Sequence, residues 1–334
     1  MSVTIKDIAK SVGASYTTVS LVLNGKAKES RISEELKNKI LETAEEMDYK
    51  PNILARNLKK GKTNTIGFVI SDISNAFFVK LSRYVEQIAL KHGYRVFFAG
   101  SDEEDKKCEE VIDTFISMKL DGLIIAATPG LEKTIRKLIA QKFPFVLVDR
   151  YFPQIDTNYV ILDNWQSSYN AVSYLIEKGK SRIATFAYST PFFHMEERLK
   201  GYKAGLKDKG ISFDMKLVPE IPFLVPDSKV IKNHIYKLIK EYKIDAIYFQ
   251  TNRTALPGLQ AIYELKAEND VSIVCFDDND FFKLLNPPIP ALIQPIEELG
   301  AESVRILIDD INNKRADKRK SKTIYSAKFN KNGE

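Results

Sequence analysis

Residues 4–24 read TIKDIAKSVGASYTTVSLVLN, and their spacing decides the first part of the fold as two short helices joined by a turn. Thr4 stands three residues before Asp7, the pattern of a reciprocal helix-start cap. Ile5, Ile8, Ala9 and Val12 then fall on one helical face. Gly13 supplies the turn, Ser15 can cap the next helix, and Val19, Val22 and Leu23 point back to the first. Tyr16, Thr17, Ser20, Leu21 and Asn24 are left outside. A helix of this size fits the major groove of B-DNA, where hydroxyls and amides meet base edges and phosphates. A helical hairpin packed on a partner protein is the other use of such a pair. With Thr4, Ser15 and Thr18 at the helix starts, these residues are the candidate DNA contacts.

Immediately downstream, Leu36, Ile40, Leu41, Ala44 and Met47 mark one face of a third helix beginning near Ser33, which closes a headpiece over residues 1–49. Tyr49 and Pro51 end it. The next segment, NILARNLKK, is helix-competent but has little apolar surface, and a helix this short is marginal in water until something packs on it. It lies in an expected linker of residues 50–64.

From Thr65 the pattern changes. IGFVIS, YRVFFA, DGLIIAA and PFVLVDR read as continuous buried strands, and the segments between them carry helical periodicity, for instance at Phe78, Leu81, Val85, Ile88 and Ala89. After the strand NYVILDN the alternation begins again, with helices near 165–177, 195–208, 228–241 and 254–266 and strands RIATFAY, DAIYFQT and VSIVCFDD. Such alternation predicts parallel sheets covered on both faces, in two lobes with a cleft between their strand ends. The fold class is therefore α/β: a helix-turn-helix headpiece followed by two doubly wound lobes.

The chain of 334 residues carries a net charge of +6, unevenly placed. Residues 1–64 contribute +4, residues 65–312 contribute −4 and residues 313–334 contribute +6. Basic ends on a slightly acidic body fit a protein that touches a polyanion at its N-terminus, while the run KRADKRKSK reads as a solvated loop. Cys108 and Cys275 lie in apolar elements and are expected to be buried free thiols of a reducing compartment. No basic-then-apolar leader and no spanning stretch of about 20 apolar residues occurs, so a cytoplasmic, nucleoid-associated bacterial protein with no membrane partner is expected.

GASYTTVSLVLNG followed by YKPNILARNLKKGKTNTIG resembles the start of a lactose/galactose-repressor (LacI-type) transcription factor, and more loosely the likeness extends over nearly the whole chain. The resemblance implies a periplasmic-binding-protein-like body and a homodimer that binds near-palindromic operator DNA. It also implies a hinge helix that orders when two copies meet on DNA, with Leu58 as the apolar wedge, Ala55 beside it, and Asn52 and Arg56 at the polar positions. A wedge of this kind unstacks a base step and bends the duplex. Two departures stand out. Leu21 occupies a position that is usually Arg, so a bidentate guanine contact is lost, and Ala76 replaces a frequent Pro in the cleft loop. The resemblance also places residues 293–322 with the first lobe (65–163) and a final strand near 323–329 with the second (164–292 and 323–332).

Catalytic equipment is sparse. There is no G-x-G-x-x-G after a strand, no phosphate-cradling P-loop and no G-x-S-x-G elbow, and His92, His194 and His234 do not stand at metal-ligand spacing. Neither cofactor nor metal nor turnover is expected. Strand ends instead nominate a binding cleft. Ser74, Phe77 and Phe78 follow the first strand; Asp149 and Arg150 end the fourth; Asp163, Asn164 and Trp165 follow the fifth. Phe192, Phe193, His194 and Arg198 surround a helix start, and Asn252, Asp277 and Gln294 complete the set. Aromatic faces with convergent polar groups suit a carbohydrate-sized effector, and Arg150 and Arg198 would also suit a sugar acid or sugar phosphate. In the resembling family, residues matching Phe77, Phe78, Arg198, Asn252 and Asp277 line the effector pocket. The implied function is a sugar-controlled transcriptional repressor. An activator with the same parts, a transport binding protein and a cleft enzyme are the rivals.

Overall fold

The computed structural model describes residues 3–28, 30–49, 62–189, 192–223, 228–312 and 319–331, and the chain divides into two compact units, Met1–Thr63 and Asn64–Glu334. In the first unit, α1 (Ile5–Val12), α2 (Tyr16–Leu23) and α3 (Glu34–Glu46) form as their caps direct. Asp7 accepts from both the backbone N–H and the hydroxyl of Thr4, at 2.9 and 2.7 Å. Gly13 ends α1 at φ +71°, a left-handed conformation that a side chain would strain. Ser15 Oγ accepts from Thr18 N at 3.0 Å, and Ser33 Oγ from Leu36 N at 3.3 Å. Ile8, Val19 and Ile40 are fully buried at the centre of the three helices. Leu41 does not join them. It is 42% exposed, because it follows Ile40 by one position and so turns about 100° away.

The second unit begins with β1 (Thr65–Ile70), α4 (Ala76–Lys91), β2 (Arg95–Gly100), α5 (Asp105–Ser117), β3 (Gly122–Ile125), α6 (Glu132–Ala140), β4 (Phe145–Val148) and β5 (Tyr159–Leu162). The second lobe follows with α7 (Asn164–Glu177), β6 (Ile183–Thr185), β7 (Ala187–Tyr188), α8 (Phe193–Asp208), β8 (Glu220–Ile221), α9 (Ser228–Lys240), β9 (Ala246–Phe249), α10 (Asn252–Glu264), β10 (Ser272–Phe276) and β11 (Ala291–Ile293). The chain closes with α11 (Ile296–Asn312), β12 (Lys322–Tyr325) and β13 (Lys328–Asn330). The sheet orders are β12-β5-β4-β3-β1-β2 and β13-β11-β10-β9-β6, parallel except where β13 meets β11. Parallel crossovers bring all the strand C-termini of one lobe to the same edge, which is where loops can build a site.

Three expectations are corrected. The strand expected near 323–329 is two strands. Lys322–Tyr325 extends the first sheet beside β5, with Thr323 opposite Val160, and only Lys328–Asn330 reaches the second. By pairing there, β12 supplies the ladder that β5 would otherwise lack on its outer side. YRVFFA is not a buried strand either. β2 is the opposite edge of the first sheet, paired to β1 alone, and Phe97 and Phe98 remain 45% and 38% exposed. RIATFAY is also interrupted, and β7 leaves the sheet to pair with β8.

Helix α11 packs on α4 in the first lobe. Leu299, Val304, Leu307 and Ile311 enter one core with Phe68, Leu81, Val85 and Val146. In the second lobe, α7 and α8 come close because Gly201 has no side chain. A Cβ there would stand 2.2 Å from the Trp165 carbonyl oxygen. That approach sets Arg198, one turn earlier on α8, against the first residue of α7. Cys108 and Cys275 are buried and free.

Candidate functional site

In the headpiece, Tyr16, Thr17 and Asn24 are exposed, and Thr18, Ser20 and Leu21 are half-buried around the same helix. Not all of their polar atoms are open. Ser15 and Thr18 share a hydroxyl contact at 2.9 Å, and the Asn24 amide folds back to the Ser20 carbonyl at 2.6 Å. Thr4, Ser15 and Asn24 thus cap helices, while Tyr16, Thr17, Ser20 and Leu21 form the outward face. Asn52, Ala55, Arg56 and Leu58 lie outside the described residues.

A cleft of about 620 Å³ opens between the two lobes of the second unit. Each lobe contributes a strand-end aspartate in the left-handed region, Asp149 after β4 at φ +67° and Asp277 after β10 at φ +71°. Asp tolerates this region better than most residues, and such strain concentrates at binding sites. Burial pushes both carboxyls above the usual range, opposed by Arg150 and Arg198 beside Asp149, and by Arg198 and a Gln294 hydrogen bond at Asp277. Gln294 Nε2 donates to Asp277 Oδ1 at 2.5 Å.

Arg198 is buried between fixed partners. Its Nε donates to Asn164 Oδ1 at 2.8 Å, its Nη1 to the Gln250 carbonyl at 2.6 Å, and its guanidinium lies 3.4 Å from the Phe276 ring centroid. Burial lowers its pKa, which Asp277 and the other nearby anionic groups oppose. Arg150 is held differently. Nη1 and Nη2 form a fork to Glu103 at 2.5 and 2.7 Å, Nε lies 3.4 Å from Asp149, and Phe192 covers the guanidinium at 4.6 Å. Burial alone would lower the Arg150 pKa, but the Glu103 bonds and charge outweigh it. His194 is shut from water. Burial, with Arg150 and Arg198 nearby, holds its imidazole well below the usual range and therefore neutral.

An ion pair also joins the lobes across the cleft. Arg253 Nη2, at the start of α10, donates to Asp72 Oδ2, beyond β1. Asp72 also accepts from the backbone and hydroxyl of Ser74, and the Arg253 guanidinium reaches the Phe223 carbonyl at 3.2 Å. Burial would raise the Asp72 carboxyl, but the Ser74 bonds and Arg253 together lower it.

A family model described as periplasmic binding proteins and the sugar-binding domain of the LacI family matches residues 63–332, and one for the lacI family of bacterial regulatory proteins matches residues 4–52. The chain belongs to the LacI family. LacI-family members are DNA-binding transcriptional regulators rather than enzymes. Catabolite control protein A of Priestia megaterium is 30% identical over 323 residues, covering 95% of each chain. The crystal structure of a putative ribose operon repressor from Burkholderia thailandensis is 28% identical with a TM-score of 0.71, covering 80% of this chain and 98% of its own. A lac repressor dimer bound to operator and the anti-inducer ONPF shares the fold at a TM-score of 0.84 and 22% identity, covering 98% of each chain. Among the described residues, no helix is long and apolar enough to cross a membrane, and no group of three or more His, Cys, Asp or Glu residues could hold a metal ion.

In this LacI-family chain, the cleft brings together Phe77, Phe78, Arg150, His194, Arg198, Asn252 and Asp277 from the expected set. Phe77 and Phe78 serve twice, packing in the first lobe's core while their edges line the cleft. Asp163 and Trp165 go elsewhere. Asp163 caps α7 by accepting from Gln166 N at 2.9 Å, and Trp165 stacks on Tyr169. Both line a separate hollow of about 160 Å³ that shares Asp149, Arg150 and His194 as its wall. Phe192 is buried behind Arg150 and packs on Phe223 at 4.2 Å. Asp72, Asp102, Phe223, Thr251, Arg253 and Asn279 line the cleft without having been singled out, and Phe223 is buried there.

The Asp72–Arg253 contact ties the lobe angle to two side chains. Asp72→Asn keeps an acceptor for Ser74 while removing the charge. Because both side chains keep some solvent contact, the expected effect is modest: the open-to-closed ratio should shift about three- to tenfold, or ~1 kcal/mol. Small-angle scattering on the effector-free protein reads this shift, and an unchanged profile would show that the contact does not set the angle.

Proposed function

We propose that this LacI-family regulator is a homodimeric transcriptional repressor of carbohydrate-use genes whose operator affinity is set by a small sugar-like effector in the interlobe cleft. The observation that carries the proposal is the pairing, on one chain, of an outward polar helix face with a cleft whose buried polar groups converge from both lobes. Thr17, Ser20, Leu21 and Tyr16 would read base edges in the major groove, with Thr4, Ser15, Thr18 and Asn24 at the phosphates. Asn52, Ala55, Arg56 and Leu58 would form the minor-groove hinge. Phe77, Phe78, Arg150, His194, Arg198, Asn252 and Asp277 would hold the effector, with Asp163, Trp165 and Phe192 supporting the wall around Arg150. The domain limits that accompany this reading are a headpiece to residue 49, a hinge over 50–64 and an effector body beyond. The protein would act in the bacterial cytoplasm, at the nucleoid.

The open edge of β2 supports the dimer. Phe97 and Phe98 on that edge, and Val79 and Leu90 on α4, are exposed apolar side chains of the kind that a second copy covers. Two-fold symmetry then makes the operator near-palindromic.

Coupling between effector and operator must be reciprocal, so each should change the other's affinity by the same factor. Titrating labelled operator with and without an effector, and effector with and without operator, tests this. Equal affinities in both arms would sink the allosteric reading. The recognition face makes its own prediction: Leu21→Arg should gain a guanine at the matching base pair by about 1–3 kcal/mol, seen in a binding selection run beside the wild type.

A further inference from the structure

Both buried arginines of the cleft already have fixed partners within the protein. Arg150 is forked to Glu103 and flanked by Asp149, whereas Arg198 donates to Asn164 and to the Gln250 carbonyl, with Asp277 and Asp149 acting on it from beyond ion-pair distance. Arg253 is paired with Asp72 and, at the rim, Lys107 with Asp102. Lys80 is the remaining cation acting on Asp277. Set against these are four aspartates in the lining, Asp72, Asp102, Asp149 and Asp277, with Glu103 behind. The sequence alone allowed a sugar acid or phosphate because two arginines end in the cleft. The structure holds Arg150 and Arg253 in ion pairs and fixes two edges of Arg198 on neutral acceptors, so an incoming anion would meet four lining aspartates with Arg198 alone, among the lining arginines, outside an ion pair.

The hydrogen-bond inventory points the same way. His194 Nδ1 and Gln294 Oε1 are buried, belong to cleft-lining residues, and have no partner. The Gln294 amide cannot be turned to relieve this, since its nitrogen donates to a carboxylate that only accepts. Gln294 Oε1 calls for a donor, as do the carboxylate oxygens of Asp149 and Asp277, and a ligand hydroxyl can pair with His194 Nδ1 in either tautomer because it both donates and accepts. Phosphate and carboxylate groups bring acceptors, whereas hydroxyls bring donors.

We infer that the effector is an uncharged, hydroxyl-rich molecule, a sugar or polyol bearing neither phosphate nor carboxylate. The inference rests on the proposed role of the cleft as the effector site. His194 is then a selectivity residue, its neutral ring taking a ligand hydroxyl where a cationic one would favour an anion.

The test is a calorimetric titration of the purified full-length chain with matched sets. D-glucose, D-galactose, D-ribose and D-xylose are each compared with the corresponding phosphate ester and the corresponding aldonic or uronic acid. At least one uncharged member should bind, and its charged counterparts should bind at least tenfold more weakly. Asp277→Asn should narrow that ratio, and His194→Phe should weaken the uncharged member about tenfold. A charged member that binds more tightly than its parent, with binding abolished in Arg198→Ala, overturns the inference while leaving the cleft as the effector site. Binding of any member that survives Arg198→Ala overturns the cleft reading itself. A panel in which no uncharged member binds also overturns the inference.

Discussion

Replacing Glu103 by glutamine should lower the unfolding free energy by about 3–5 kcal/mol, the cost of leaving a buried charge without its partner. The Glu103 and Arg150 side chains are 3% and 8% exposed, so little water is present to take over when the carboxylate is lost. Glutamine keeps one acceptor, but its NH₂ would face the guanidinium that now receives both carboxylate oxygens. Asp149 sits beside Nε and can offset only part of the loss, being itself pushed towards its neutral form by burial. Trp165 is the chain's single tryptophan and lies on the far side of the Arg150 wall, so its fluorescence follows denaturant unfolding of this region. The double variant Glu103→Met with Arg150→Met is the informative control. Removing both charges should recover most of the loss, since isosteric apolar replacement of a buried pair is often neutral. A single-variant loss below about 1 kcal/mol would show that the pair is hydrated in solution.

The pair also shows what a sequence can and cannot reveal. Arg150 is visible because it ends an apolar strand, and strand ends of parallel sheets meet at a cleft. Glu103 sits 47 residues earlier in a polar loop, held at φ +62°, and nothing local distinguishes it from its neighbours in DEEDKK. Asp72 and Arg253 are separated by 181 residues, and only the folded arrangement of the two lobes joins them. Arg198 and Asp277 were legible because resemblance and strand-end position agree on them. Asp163 and Trp165 share that strand-end position, yet the turn into α7 uses the aspartate as a cap and directs the indole to Tyr169. In the fold, buried parallel strands announced themselves as unbroken apolar runs. An edge strand such as β2 has the same composition, so only sheet order distinguishes Phe97 from Phe68. The headpiece was the most legible part, since its caps and its two faces all lie within a few residues of one another.

Arg198→Lys should cut effector affinity at least about 100-fold, roughly 3 kcal/mol, although the formal charge is unchanged. The guanidinium is used as a plane and a fork: one edge donates to Asn164 at the start of α7, another to the carbonyl of Gln250 after β9, and its face rests on Phe276. A lysine ammonium is a point with no face, so it can serve one of these partners and leaves the others unmet, at about 1–3 kcal/mol for each buried group. The affected partners belong to three different elements around the cleft, so the loss loosens the wall that the ligand must meet already formed. Reciprocity then carries the effect to the operator: as the effector's differential affinity for the two lobe angles falls, the ratio of operator affinities with and without effector should approach one. Fluorescence anisotropy on labelled operator, with an uncharged sugar that shifts the wild type, measures that ratio. If the lysine variant kept the full ratio at a raised effector concentration, Arg198 would contribute binding alone, and the lobe angle would be controlled elsewhere, with the Asp72–Arg253 contact the first place to look.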